Sequence, residues 1–198
     1  MIISLLKKIF FVFLMGALTF TPWDILFSHF EILDFKSPST VMGIAWWVPL
    51  AFGASTVLTF LLFTVMDRLF RVQVIYNPSH LAYEYLLITG FYLAILFFRQ
   101  YPYLLSIGLL FIVLVRLILF HGPLDYVYFL FGACMGPTVE LILTSFHLYL
   151  FTEPDFLGMP YWLPVFWGNV ALAMRRVCWI LEPPQVPRPL YENALPSR

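Results

Sequence analysis

A chain of 198 residues that is 62% hydrophobic and only 11% charged lies far from a soluble domain, where about 45–50% apolar and about 25% charged residues are usual. That composition excludes a water-soluble globule and describes an integral membrane protein. Eleven Lys and Arg offset eleven Asp and Glu, so no basic surplus argues for nucleic acid as a partner.

A hydrocarbon core about 30 Å thick takes about 20 apolar residues per helix. Six stretches meet that need, near 9–28, 43–65, 80–98, 102–120, 126–149 and 158–177. The connectors are short, so successive helices are antiparallel neighbours. The expected fold is an all-α bundle of six transmembrane helices in one domain, 1–181.

In the first span, Lys7, Lys8 and the run IFFVFLMGALTF have the charged start and apolar core of a signal peptide. Apolar character continues past Asp24 through Ile25, Leu26 and Phe27, which favours a retained helix. The second span opens MGIAWWVPLAFG. Trp46 and Trp47 suit the headgroup layer, and Pro49 removes a backbone donor and can kink the helix. Gly53, with Ala54 and Ser55, presents a small face that another helix or a ligand could approach.

His80 and Glu84 open the third span, where pairing of Glu84 with Arg68 or Arg71 is the plain expectation. In the fifth span Gly132 and Gly136 form a GxxxG pair, whose ordinary meaning is helix packing. Pro137 frees the carbonyl of Ala133, and Glu140 follows near mid-span. An ionisable residue at that depth costs about 2.5–3.5 kcal/mol. It therefore faces the interior, bonding either a lipid or a neighbouring helix, with Thr138 close by. His147, two turns on, could relay a proton with Glu140.

Cys134 and Cys178 have no metal-ligand spacing and read as small packing residues. No catalytic constellation, Gly-rich phosphate loop or metal spacing stands out, so neither enzyme activity nor a cofactor is expected. The last stretch, 182–198, holds five prolines and reads as an extended cytoplasmic tail. Its PQVP fits a P-x-x-P ligand pattern.

With the N-terminus in the cytoplasm, Lys7, Lys8, Arg68, Arg71, Arg116, Arg175, Arg176, Arg188 and Arg198 share that side. Lys36 and Arg99 fall outside. The positive-inside rule therefore places both ends in the cytoplasm.

Two blocks carry a resemblance. AWWVPLAFGASTVLTFLLFTVMDR, 45–68, resembles the second membrane helix of the Insig (insulin-induced gene) family, with its Ala-Trp-Trp-Val-Pro start and its Asp-Arg end at Asp67 and Arg68. TEPDFLGMPYWLPVFWGNVALAMRR, 152–176, is similar to that family's last outer loop and sixth helix. The matching positions are Pro154, Asp155, Phe156, Trp162, Leu163, Pro164, Gly168 and Asn169. The resemblance implies six helices around a lipid-accessible central pocket, which here would be shaped by Trp46, Trp47, Pro49, Gly53, Glu140, Trp162 and Pro164.

It further implies binding of a sterol or, in a bacterial member, a diacyl lipid, with regulation of lipid or sterol metabolism through membrane-protein partners. Those partners are a sterol-sensing escort protein and a sterol-pathway reductase, with Asp67, Arg68 and His121 in the docking region. The setting is the endoplasmic reticulum membrane in a eukaryote or the cytoplasmic membrane in a bacterium, and a homo-oligomer is compatible with it. Two positions depart from the pattern. The family's Phe-Asp-Arg run falls on Phe120, His121 and Gly122, and its fourth-helix glutamine falls at or near Leu104.

A rival expectation comes from PWDILF, 22–27, with Glu84 and Glu140, which together are similar to bacterial-type lycopene cyclases. AYEYLL, 82–87, stands where those enzymes carry Pro-x-Glu-Glu. A small transporter is disfavoured, since the chain shows no internal repeat and no pair of broken half-helices.

Overall fold

Proline placement and left-handed turns set the helix ends in the computed structural model, which describes residues 2–37, 40–72, 79–119 and 122–182. His121 and the proline-rich stretch 183–198 lie outside the described residues, as does the side chain of His80. The helices are α1 (Ile2–His29), α2 (Val48–Leu69), α3 (Ser79–Phe98), α4 (Pro102–Leu119), α5 (Asp125–Ser145) and α6 (Leu163–Leu181). Four short strands not expected from the sequence sit at one end of the bundle: β1 (Leu33–Phe35), β2 (Thr40–Val41), β3 (Ile44–Ala45) and β4 (Tyr149–Phe151).

Pro49 lies in the first turn of α2, where its missing N–H belongs to a group of donors without helical partners. The kink expected from the sequence is therefore absent, because no i to i−4 bond is lost. Pro49→Ala is expected to change stability by less than about 0.5 kcal/mol, measured as the melting temperature of the detergent-solubilised protein. A shift much larger than that would mean the proline does more than start a helix.

Three helices stop in the same way. Glu31, Arg71 and His147 take left-handed φ values of 55°, 50° and 54°. The following amides then return to carbonyls five residues back: Ile32 to Phe27 at 2.7 Å, Val72 to Asp67 at 3.0 Å and Leu148 to Leu143 at 3.2 Å. This is the Schellman stop, here without glycine. It removes His147 from the face of Glu140, since α5 ends at Ser145 and His147 is exposed in the turn beyond. The proposed Glu140–His147 relay is thereby excluded.

After those turns, β1 and β4 pair antiparallel, with Leu33 opposite Phe151 and Phe35 opposite Tyr149. These four side chains are buried while Asp34 and Leu150 face out, the two-residue alternation of a half-covered sheet. The sheet ties the end of α1 to the end of α5. A β2–β3 hairpin turns through Met42 and Gly43, both at positive φ.

Five helices are long and apolar enough to cross a membrane, namely α1 to α5. Large apolar side chains line their outer surfaces; on α4, Leu104, Ile107, Phe111 and Ile118 are each at least 66% exposed. Such faces require a lipid surround. The sixth, α6, is less apolar because it carries Asn169, Arg175 and Arg176, yet it is buried continuously from Gly168 to Trp179. It runs up the middle of the bundle against α2, α3, α4 and α5, while α1 packs along α2.

The ends sort by charge. Lys8 of α1 meets Glu182 after α6 at 2.6 Å, and Arg68 lies 3.6 Å from the same carboxylate. The start of α1 and the end of α6 therefore meet at one basic face. The opposite face carries the strands with Glu31, Asp34, Glu153 and Asp155.

Candidate functional site

Near the basic face, six ionisable side chains are almost fully buried: Asp67, Glu84, Arg116, Asp125, Arg175 and Arg176. Arg175 binds Asp67 at 2.9 Å and Asp125 at 2.8 Å, and also reaches the carbonyl of Pro123. Tyr128 and Trp179 donate to Asp67 at 2.7 and 2.8 Å. The Arg175 guanidinium lies 3.8 Å from the Tyr128 ring centre, which places it between aromatic faces. Arg176 binds Asp125, and Arg116 binds Glu84. Three cations thus neutralise three anions across α2, α3, α4, α5 and α6.

This layer corrects two expectations. Asp67 is closed to a docking partner, being 5% exposed and held by three donors; Arg68 beside it is exposed. Glu84 pairs with Arg116 rather than with Arg68 or Arg71, because the third helix turns it inward. It also belongs to a different layer from Glu140, so the two do not form the acid pair of a cyclase.

The second polar group lies toward the opposite face. Glu140 sits five residues before the end of α5, about 7.5 Å along the helix, so it lies halfway between mid-span and that end. Trp167 of α6 donates to its Oε1 at 3.2 Å, so the bond to a neighbouring helix exists. Thr138 instead bonds Cys134 within its own helix. Asp24 of α1 is within electrostatic reach of Glu140, and the Tyr92 hydroxyl of α3 is within reach of both. No described Lys, Arg or His pairs with either carboxylate. Asp24 and Glu140 are surrounded by protein yet keep some accessible surface.

Aromatic rings of α1, α3 and α6 pack together beside them. Trp23 stacks on Tyr92 at 4.3 Å, and Tyr92 meets Phe27 at 5.4 Å and Phe166 edge-on at 4.8 Å. Phe166 continues to Trp162 at 6.1 Å and Trp167 at 5.8 Å. Of the residues expected to shape a pocket, the structure brings Glu140 and buried Trp162 into this group. The others lie elsewhere: Trp46 is exposed, Trp47 half-buried, Pro49 and Pro164 lie in first helical turns, and the flank opened by Gly53 is filled by the Phe13 ring.

Tyr92 and Trp167 were not picked out from the sequence. Asp24 entered only as an interruption in an apolar run and as part of PWDILF, although a lone carboxylate there was the available signal. At the outer end a groove of about 540 Å³ opens among Ser28, Glu31, Asp34, Thr40, Arg99 and Glu153. Among the described residues no three His, Cys, Asp or Glu converge on a metal position.

No protein-family profile matches the chain, and none of the curated proteins compared with it matches. Two solved structures do. A mycobacterial Insig homolog, MvINS from Mycobacterium vanbaalenii, superposes with a TM-score of 0.72 over 91% of this chain and 97% of that one, at 15% identity. The chain has an Insig-like fold. A cross-linked trimer of MvINS gives 0.71 with the same coverage and identity. At that identity the likeness is one of architecture. It agrees with the six-helix membrane bundle expected from the sequence.

Proposed function

We propose that this Insig-like membrane protein binds a lipid in the space between α1, α3, α5 and α6, and that occupancy changes the surface offered to a membrane-protein partner. The carrying observation is the pair Asp24 and Glu140, accessible within an aromatic wall inside a lipid-surrounded bundle. A flat sterol or an acyl chain suits the rings, and a hydroxyl or ester suits the carboxyls and Tyr92. A ligand that prefers one packing of α1 against α3 and α5 shifts the population toward it.

Regulation of sterol or lipid metabolism through an escort protein or a reductase follows from the family resemblance, as does residence in the endoplasmic reticulum or bacterial cytoplasmic membrane. The cross-linked MvINS trimer supports self-association as a further expectation. Trp46, Trp47, Pro49, Gly53 and Pro164 then serve helix starts, helix packing and the bilayer interface away from this space, with Glu140 and Trp162 in its wall. Arg68 and the His121 segment remain the proposed partner-facing positions on the basic side.

The test is gentle extraction with mass spectrometry of the retained lipid, paired with thermal melts in cholesterol and in diacylglycerol. A stabilising ligand raises the melting temperature in proportion to its occupancy. Protein that carries no lipid and is indifferent to both would end this reading. Trp167→Phe keeps a ring but removes the donor to Glu140. It is expected to cost about 1 kcal/mol of stability, read from the same melts, and to weaken retention of the co-purified lipid.

A second reading, an enzyme acting on an isoprenoid, has one observation in its favour. Asp24 and Glu140 lie within electrostatic reach of each other inside the bundle, as acid chemistry on a polyene requires. Product analysis after incubation with lycopene separates the two.

A further inference from the structure

We infer that the space between α1, α3, α5 and α6 selects amphiphiles with a protonated amine head, rather than neutral lipids alone. The inference rests on the lipid-binding reading and names the head group that the site would take.

Acceptors are in excess there. Asp24 makes no hydrogen bond to any described residue, and Glu140 receives one, from Trp167 to Oε1, which leaves Oε2 free. Tyr92 is a second, independent sign. The residue is only 3% exposed, yet its hydroxyl has no hydrogen-bond partner among the described residues and lies within reach of both carboxylates. That oxygen is not closed off by protein atoms, so a ligand can reach it as donor or acceptor.

The basic-face cluster sets the contrast, since every carboxylate there has its arginine. Here two carboxyl groups have no cation beside them among the described residues. An ammonium supplies one positive charge and three N–H donors. Asp24, Glu140 Oε2 and the Tyr92 oxygen are three acceptors. An alcohol head brings a single donor and no charge, and leaves at least one carboxylate unmatched. The wall agrees with this assignment, because the faces of Trp23, Tyr92, Phe166 and Trp167 attract cations while accepting an apolar chain.

The experiment uses the full chain in a neutral maltoside detergent. It compares oleylamine with oleyl alcohol, which share a chain and differ in head group, and adds dioleoylglycerol as a neutral lipid. Oleylamine is expected to bind at least about tenfold more tightly than oleyl alcohol in melting-temperature titrations. In Asp24→Asn/Glu140→Gln that preference is expected to vanish, with the response to dioleoylglycerol retained. Tyr92→Phe keeps the ring and is expected to lose part of the preference.

Equal binding of amine and alcohol by the wild type, or a preference that survives the double substitution, overturns the proposal. If dioleoylglycerol still stabilises in that case, only the head-group assignment is lost. If none of the three raises the melting temperature, the lipid-binding reading falls with it. Should the double variant aggregate, Tyr92→Phe decides, and an unchanged amine preference there overturns the proposal.

Discussion

Arg175→Ala is expected to leave little folded protein. Removing one partner of a buried ion pair costs about 3–5 kcal/mol, against a total stability on the order of 5–15 kcal/mol for a typical domain. Arg175 is a demanding case because its side chain is fully buried and joins α6 to α2 through Asp67, to α5 through Asp125 and to the Pro123 carbonyl. Without it, Asp67 keeps Tyr128 and Trp179 as donors, whereas Asp125 depends on Arg176 and the Gly122 amide.

Arg175→Lys is expected to fail as well. A single ammonium on a flexible stem cannot replace a planar fork held between the Tyr128 and Trp179 rings. Fluorescence-detected gel filtration of the extracted protein reads the outcome as loss of the monodisperse peak. Arg175→Met combined with Asp67→Asn removes one charge of each sign, leaves Asp125 to Arg176, and is expected to recover part of it. A single Arg175→Ala variant with a near wild-type peak and melting temperature would show that the cluster is incidental to folding.

The sequence made the lipid-facing helices legible and hid the protein-facing one. Hydropathy measures what a helix shows to lipid. It therefore located α1 to α5 well, but read α6 as one more span with a basic end. Arg175 and Arg176 counted as cytoplasmic charges on a topology scale, and nothing in a single helix reveals that Asp67 and Asp125, 108 and 50 residues away, would meet them. Two- and three-residue strands fall below any periodicity, so the outer sheet was invisible.

The candidate site was half legible. Glu140 stood out because a lone carboxylate in an apolar run must be explained, and the same logic applied to Asp24. Their proximity could not be seen, since it depends on how α1 and α5 are placed within the bundle. Tyr92 and Trp167 carried no signal in a chain with 20% aromatic residues. The tryptophan pair at 46–47 drew attention through its rarity, although its exposed member faces the surroundings.

Small residues between α5 and α6 link the stability of the bundle to the site, and two substitutions should separate these roles. A Cβ added at Gly132 would lie 2.4 Å from the Ala171 Cβ and 2.7 Å from the Trp167 carbonyl oxygen. Neither backbone can yield without moving a helix, so Gly132→Ala is expected to destabilise by about 1–3 kcal/mol. At Gly136 the added carbon would meet Trp167 Cγ at 2.2 Å. The ring must then move, and the bond to Glu140 moves with it.

Gly136→Ala is therefore expected to change ligand response more than its effect on melting would suggest, while Gly132→Ala changes melting first. Gly90→Ala and Gly108→Ala serve as controls, with nothing within 4 Å of the added carbon. In an open helical position alanine gains roughly 0.5–1 kcal/mol over glycine, so these two are expected to melt slightly higher than the wild type. If all four variants shifted alike, the close approach of α5 to α6 would not be what the GxxxG pair provides, and the link from that interface through Trp167 to Glu140 would be broken.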